Sequence, residues 1–140
     1  MLVKLLNNNT YLPTRSYTHA AAVDIYMPQD GVVTWNSELF PLGISVAIPE
    51  GHVGILTPRS STGALSGLCL TNTIGVIDSD YRGELGAFMY VKDKFKHLEF
   101  VKGQRLLQLL VLPVYSEVIQ QVDELPETKR ASGGFGSSGS

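Results

Sequence analysis

Glycine and proline interrupt this chain so often that few segments have room for a long helix, since 14 glycines and 7 prolines are spread over 140 residues. The segments between them favour Val, Ile, Leu, Thr, Tyr and Phe, which is the composition of short strands. Many short strands separated by turns are typical of a β-barrel or a sandwich. The sequence therefore predicts an all-β fold, with strands over residues 2–6, 23–27, 32–35, 43–48, 52–57, 68–71, 85–91, 97–101 and 115–122.

Two of these segments predict a hairpin. Residues 43–48 alternate apolar Ile44, Val46 and Ile48 with small or polar side chains, which is the pattern of a half-buried strand. The Pro-Glu-Gly sequence at 49–51 then favours a turn into the strand at 52–57.

The leucine-rich run at 104–114 suits a buried strand and a buried helix equally well. Leucine and glutamine lean towards a helix. The run lies between Gly103 and Pro113 in a chain of strands, so we interpret it as a strand.

Length and charge limit the class of protein. The chain has the size of one domain, which we place at residues 1–128, and 44% hydrophobic residues are enough for a packed core. A net charge of −2 argues against a nucleic-acid-binding surface. No apolar run approaches the roughly 18 residues of a membrane span, and the first residues lack the basic, long apolar and small-residue regions of a signal peptide. A single cysteine, Cys69, cannot form an internal disulfide, which favours a reducing compartment. Taken together, these features predict a soluble cytoplasmic protein that binds neither nucleic acid nor membrane.

The three histidines do not indicate a metal site. His19, His52 and His97 lie far apart, and none has a second ligand at a spacing typical of metal binding. A zinc ion held by protein ligands is therefore not expected.

Residues 129–140 differ in composition from the rest of the chain. Phe135 is their one aromatic side chain among glycines and serines, so the segment cannot bury enough surface to fold alone. The sequence predicts a mobile Gly/Ser-rich tail. A linker or expression remnant is the alternative, and it fits Gly139 and Ser140 better than it fits an arginine and a phenylalanine that flank two glycines.

Residues 58–63 (PRSSTG) follow a predicted strand and supply a guanidinium, three hydroxyls and backbone N–H groups, a set of donors that suits a polyphosphate. An ordinary helix N-cap at Ser60 or Ser61, opening a turn that runs to Ser66, is compatible with this interpretation because helix N-termini bind anions. Residues 75–85 (GVIDSDYRGEL) place acidic residues beside an aromatic ring between two strands, where a carboxylate can activate water. An acidic β-turn without catalysis has the same composition.

Five segments together resemble, in order, the motifs of the dUTPase family, and they span nearly the whole chain. The third and fifth are specific, whereas the first and fourth would mean little alone. The five motifs are residues 21–25 (AAVDI), 58–63 (PRSSTG), 75–85 (GVIDSDYRGEL), 103–109 (GQRLLQL) and 130–139 (RASGGFGSSG).

The sequence departs from the family pattern at several positions, each of which holds a small residue. Ala22 and Ala131 stand where the family usually has glycine, Ser61-Thr62 replace a common Gly-Leu, and Ser138 replaces threonine. Ala131 restricts the backbone of the tail more than glycine would.

The resemblance implies hydrolysis of dUTP to dUMP and pyrophosphate, a reaction that limits uracil in DNA and supplies dUMP for thymidylate synthesis. It also implies a distorted β-barrel or jelly roll of mostly antiparallel strands with at most one short helix. Asp78 would deprotonate a water that attacks the α-phosphorus, and Mg²⁺ would be held mainly by phosphate oxygens and waters. Asp24 either contacts the water shell of the metal or holds the framework of the site, and both roles stay open.

The resemblance also implies a substrate-binding set, in which the backbone of a hairpin at residues 72–77 selects uracil and Asn72 contributes its side chain. Tyr81 would pack against the deoxyribose and Phe135 would stack over the uracil when the tail closes. The implied set is Arg59, Ser60, Ser61, Asn72, Gly75, Ile77, Tyr81, Gln108, Arg130, Phe135, Gly136, Ser137 and Ser138.

A homotrimer with three shared sites is implied as well. The first, second and fourth motifs would come from one chain, the third from another and the tail from the remaining one. Two alternatives are a dCTP deaminase, which shares the trimeric fold but uses a glutamate and a different loop, and a regulatory binding protein on the same scaffold. The complete third and fifth motifs favour the dUTPase interpretation.

Overall fold

The computed structural model describes residues 1–133 and folds them into strands and one short helix around one hydrophobic core. The predicted all-β fold with at most one short helix is confirmed. The elements are β1 (Leu2–Leu5), β2 (Ala22–Tyr26), β3 (Gly31–Val33), β4 (Glu38–Pro41), β5 (Ile44–Ala47), β6 (His52–Pro58), α1 (Ser60–Ser66), β7 (Leu68–Leu70), β8 (Gly75–Ile77), β9 (Gly86–Val91), β10 (Leu98–Phe100) and β11 (Arg105–Pro113).

The leucine-rich run is the long strand β11, as predicted. It lies inside the largest sheet, whose order is β2-β11-β6-β8. Leu106, Leu107 and Leu109 are at most 1% exposed, so both faces of the strand are covered. Burial on both faces explains why the run shows no alternation of apolar and polar residues.

Three smaller sheets complete the fold, with the orders β4-β9-β7, β1-β5 and β10-β3, and every pairing between strands is antiparallel. Within residues 1–133 the four sheets do not join into one closed barrel. They enclose a common core instead, in which Ile25, Leu42, Leu56 and Met89 are each at most 1% exposed. Full burial of such a side chain stabilises the fold by about 1.5–3 kcal/mol.

The predicted hairpin of residues 43–48 and 52–57 is wrong. The turn itself forms, with the His52 N–H donating to the Pro49 carbonyl at 3.2 Å and Gly51 at a φ of 72°. The two strands then separate, because β5 pairs with β1 while β6 pairs with β11 and β8. Local turn chemistry predicts that the chain reverses, but it does not select the neighbour of each strand.

The predicted strand at 115–122 is also wrong. This segment is exposed throughout and contains no regular secondary structure. Val118 and Ile119 are 83% and 98% exposed, although both are strong strand formers. A strand requires a hydrogen-bonded neighbour, and no strand of the described chain pairs with this segment.

The sequence also missed β4 and β8. β4 begins at Glu38 and ends at Pro41, and both residue types disfavour strands. β4 lies at a sheet edge, where proline is tolerated. In β8, a Cβ at Gly75 would lie 3.1 Å from the Cβ of Leu56, so glycine permits close approach to β6. The remaining predicted strands match the observed ones to within two residues at each end.

The predicted turn to Ser66 is the helix α1, but its cap differs from the prediction. Arg59 is the N-cap and makes no side-chain capping hydrogen bond, while Ser60 and Ser61 lie in the first turn of the helix. Gly67 ends the helix at a φ of 67°. No helix within residues 1–133 is long and apolar enough to cross a membrane.

Candidate functional site

Asp24 on β2 forms the centre of a polar cluster. Its side chain is 9% exposed, and its Oδ1 accepts from Nε of Arg59 at 2.9 Å. Its Oδ2 accepts from Nη1 of Arg105 at 3.0 Å and from the hydroxyl of Ser16 at 2.8 Å. Both carboxylate oxygens are therefore occupied, as a buried carboxylate requires. Two guanidinium groups face one carboxylate, so the cluster retains one positive charge.

The strand register brings Gln108 to the same place. Gln108 of β11 lies opposite Asp24 on one side and opposite Thr57 on the other. Directly opposed residues project from the same face of an antiparallel sheet. The Gln108 amide donates to the Pro58 carbonyl at 3.2 Å, and the Arg59 N–H donates to the Leu106 carbonyl at 2.9 Å. These contacts fix the start of α1 against the middle of the sheet.

The first, second and fourth motifs meet at a cleft of about 350 Å³. Asp24, Arg59, Ser60 and Gln108 line it together with Ser16 and Tyr17. Guanidinium, hydroxyl and amide groups around an open space are suited to bind phosphate oxygens. Ser61 lines a neighbouring cleft of about 450 Å³, to which Arg59 also contributes. The structure thus brings four of the predicted residues together at one cleft, and Ser61 lines the next one.

The third motif forms a separate and smaller cavity of about 150 Å³. Ile77, Asp78 and Tyr81 line it with Glu84. Asp78 is exposed at the start of a turn, which closes with the Tyr81 N–H donating to the Asp78 carbonyl at 3.2 Å. The Tyr81 phenol donates to the Glu84 carbonyl at 2.9 Å. Asp78 is thus an accessible carboxylate beside a fixed aromatic ring.

Asn72 and Gly75 do not line this cavity. Asn72 is exposed in the turn between β7 and β8, where Thr73 has a φ of 66° and the Ile74 N–H donates to the Asn72 carbonyl at 2.7 Å. β7 and β8 belong to different sheets, so this segment connects two sheets and is not a paired hairpin.

The 350 Å³ cleft of the phosphate-binding residues and the 150 Å³ cavity of the third motif lie at opposite ends of β6. Gly54 pairs with Ile77, so Asp78 lies beside the beginning of β6, while Arg59 follows its last residue, Pro58. Pro58 lies four residues after Gly54 along the strand, which is about 13 Å at the rise of a β-strand. The structure therefore does not bring Asp78 and Arg59 together within one chain.

Arg130 is exposed and its Nε donates to the Gly133 carbonyl at 3.1 Å; it lines neither the phosphate cleft nor the cavity of the third motif. Phe135, Gly136, Ser137 and Ser138 lie outside the described residues. Residues 1–133 contain no group of three His, Cys, Asp or Glu side chains that could together hold a metal ion.

Sequence reasoning missed Ser16 and Arg105. Arg105 lies within the fourth motif, so the motif was a signal that this residue belongs to the site. Ser16 precedes Asp24 by eight residues in an irregular loop, and its contact depends on the path of that loop.

The sequence model of the dUTPase family matches residues 8–139. A relative from Syntrophotalea carbinolica, named deoxyuridine 5'-triphosphate nucleotidohydrolase, is 40% identical over 140 residues, which cover 98% of this chain and 95% of the relative. A protein of the same name from Dictyoglomus turgidum is 37% identical over 147 residues, which cover 99% of this chain and 97% of the relative.

Solved structures of dUTPases share the fold. The chain is similar to a Staphylococcus bacteriophage 80alpha dUTPase with dUpNHpp, at a TM-score of 0.88 and 29% identity over 99% of this chain and 98% of the other. A mutant dUTPase from phage phi11 of S. aureus, described as revealing the coordination of a structural Mg(II) ion, gives a TM-score of 0.80 and 26% identity over 88% of this chain and 96% of the other.

Proposed function

The chain belongs to the dUTPase family, and from this premise we propose that it hydrolyses dUTP to dUMP and pyrophosphate. The observation that carries the proposal is the convergence of three motifs at one polar cleft, where Arg59, Ser60 and Gln108 surround a space suited to a polyphosphate. The dUTPase of similar fold with dUpNHpp, a dUTP analogue, supports the assignment of the substrate.

Asp24 holds the framework of the phosphate site in this proposal. Its two carboxylate oxygens bind Arg59, Arg105 and Ser16, so it fixes one guanidinium at the edge of the cleft. A fixed positive group stabilises the charge that develops on phosphate oxygens without moving during the reaction. Of the two roles left open by the sequence, we therefore favour the framework role.

Asp78 is the general base. Its exposed carboxylate takes a proton from a water molecule, whose oxygen attacks the α-phosphorus. The bond from the α-phosphorus to the bridging oxygen breaks, and pyrophosphate leaves with the electron pair. The water oxygen therefore ends in dUMP.

The third motif recognises the nucleoside. Tyr81 is held in place by its hydrogen bond to Glu84, so its ring can form a fixed wall against the deoxyribose. The backbone of residues 72–77 selects uracil, with Asn72, Gly75 and Ile77 in that segment. Phe135 and the phosphate-binding groups Arg130, Gly136, Ser137 and Ser138 come from the tail.

The residues of the proposed site fit Mg²⁺ as an ion that is bound mainly by phosphate oxygens and waters. Residues 1–133 contain no cluster of three metal-ligating side chains, and Mg²⁺ is commonly bound through substrate phosphates rather than by a protein cage. When bound, Mg²⁺ would neutralise phosphate charge. Arg59, Ser60 and Gln108 orient the chain of phosphates at the cleft.

The complete site requires more than one chain. We infer this because Asp78 and Arg59 lie at opposite ends of β6, and the proposed base and the phosphate cleft of one chain share no lining residue. A homotrimer solves this problem if the third motif of one subunit faces the phosphate cleft of the next. Each of the three sites then lies at a subunit boundary.

Exposed apolar side chains support this assembly. Leu39 of β4 and Phe88 of β9 are paired across strands and are 55% and 53% exposed. The segment 115–125 exposes Val118, Ile119 and Leu125 by more than four-fifths. Clustered exposed apolar residues are typical of protein interfaces.

Hydrolysis in water enriched in the heavy oxygen isotope tests the proposed chemistry. Attack on the α-phosphorus places the label in dUMP and leaves pyrophosphate unlabelled. Label in pyrophosphate would contradict the mechanism. A dCTP deaminase would instead release ammonia from dCTP, and a binding protein without turnover would form no product from either nucleotide.

A further inference from the structure

We propose that Glu84 is a positioning residue, whose side chain fixes the turn that carries Tyr81 and thereby increases the selectivity for deoxyribose over ribose. This inference rests on the proposed function, because it takes Tyr81 as the wall of the sugar site. Glu84 lies in the third motif and belongs to the lining of the small cavity beside Asp78.

The ring of Tyr81 has a defined place above the turn. A Cβ at Gly83 would lie 2.4 Å from the phenol oxygen of Tyr81 and 2.6 Å from its Cζ, so only glycine leaves room for the ring there. The phenol then donates to the Glu84 carbonyl at 2.9 Å. The position of the ring therefore depends on where the backbone at Glu84 lies.

Glu84 is anchored through its side chain to a buried turn. Its Oε1 accepts from the Gly43 N–H at 2.9 Å. Gly43 is buried at a φ of 69°, and a Cβ there would lie 2.3 Å from the hydroxyl oxygen of Thr10, so this turn has little freedom to move. A flexible surface side chain is thus tied to a rigid part of the fold.

The main chain after Glu84 is anchored to the same region. Leu85 is 1% exposed, its N–H donates to the Ile44 carbonyl at 2.8 Å, and its carbonyl accepts from the Leu42 N–H at 2.9 Å. The Glu84 carbonyl shares a planar peptide group with the Leu85 N–H, so the main-chain bond holds this group from one side. The side-chain bond to Gly43 adds a second anchor at Glu84 itself, on the side of the exposed turn. Without this second anchor, the residues before Leu85 can relax and the Tyr81 ring can move away from the sugar.

The contact requires an acceptor oxygen at the end of a three-carbon side chain, but it does not require a charge. Glutamine supplies the same acceptor at the same distance from the backbone. Aspartate keeps the charge but is one carbon shorter, and alanine has no acceptor. This series separates a positioning role from an electrostatic one.

The test compares the full-length wild type with Glu84→Gln, Glu84→Asp and Glu84→Ala. The values of kcat and KM are measured for dUTP and for UTP, with the melting temperature of each variant recorded. We expect Glu84→Gln to keep the dUTP/UTP ratio of kcat/KM within about twofold, and Glu84→Asp and Glu84→Ala to lower it about tenfold, with kcat for dUTP changed less than the ratio.

A wild-type ratio in both Glu84→Asp and Glu84→Ala would overturn the proposal. So would a Glu84→Gln variant that loses selectivity as fully as alanine, since the charge would then be the essential property. If alanine prevents folding, the comparison of aspartate with glutamine decides the question. A wild-type chain that does not hydrolyse dUTP would instead contradict the proposed function itself.

Discussion

The carboxylate of Asp24 and the guanidinium of Arg59 form an ion pair of 2.9 Å that joins the first motif to the second. The same carboxylate binds Arg105 of the fourth motif at 3.0 Å, so one buried side chain connects three motifs that are far apart in sequence. A carboxylate that is 9% exposed is stabilised by such partners, and each guanidinium is held in turn.

Replacing Asp24 with asparagine is expected to weaken both stability and activity. Two partly exposed guanidinium groups would lose their counter-charge, which we expect to lower the free energy of unfolding by about 2 kcal/mol. The kcat/KM for dUTP should fall by about ten- to a hundredfold, since Arg59 is no longer fixed. Denaturant unfolding and steady-state kinetics measure the two effects.

Ser16→Ala is the matched control for Asp24→Asn, because it removes one neutral donor from the same carboxylate. Its expected cost is about 1 kcal/mol, with a small effect on activity. An Asp24→Asn variant with the stability and kinetics of Ser16→Ala would contradict the framework role of Asp24.

Replacing Asp78 with asparagine removes the proposed base and keeps the shape of the side chain. We expect the catalytic rate to fall by two or more orders of magnitude, while the affinity for dUpNHpp stays nearly constant. Asp80→Asn, an exposed carboxylate in the same turn, is the control and should keep most of the activity. A near-normal rate for Asp78→Asn would exclude Asp78 as the base.

Ending the chain after Glu127 tests the tail. Within residues 1–133 the buried core residues all precede position 110, and Val111 is the last hydrophobic residue packed against them, so we expect the shortened chain to fold and to keep its melting temperature. Activity should fall strongly, because Phe135 and the phosphate-binding groups of the tail are removed. Normal turnover by the shortened chain would mean that the tail is only a linker.

Mixing two inactive variants tests whether the sites are shared between subunits. Asp78→Asn chains supply an intact tail, and chains ended after Glu127 supply an intact Asp78. Every mixed cyclic trimer then contains one complete site, so random one-to-one mixing should restore about a quarter of wild-type activity. Mass spectrometry first establishes that mixed trimers form. Verified mixed trimers without activity would contradict the shared site.

Much of the fold was predictable from local sequence, because strand-forming segments between glycines and prolines are local features. The pairing of β5 with β1 was not, since the turn at 49–51 defines a reversal but not the neighbouring strand. In the exposed segment 115–122 the prediction failed in another way, because a strand was predicted there and none forms. Its residues favour a strand, yet no strand in the described chain pairs with it.

The site was predictable as a set of motifs but not as a geometry. Asp24, Arg59, Ser60 and Gln108 meet because β11 lies between β2 and β6, a tertiary arrangement that spacing in sequence does not reveal. The contact of Ser16 with Asp24 follows from the path of a loop. The cytoplasmic location and the domain boundary after residue 128 remain predictions of the sequence.

Pyrophosphate release from a panel of nucleotides tests the central claim most directly. The purified full-length chain with Mg²⁺ is given dUTP, dTTP, dCTP and UTP at equal concentrations, and the initial rates are compared. We predict release from dUTP far faster than from the other three, because the third motif selects both uracil and deoxyribose. Equal rates on all four nucleotides, or ammonia release from dCTP without pyrophosphate from dUTP, would contradict the assignment.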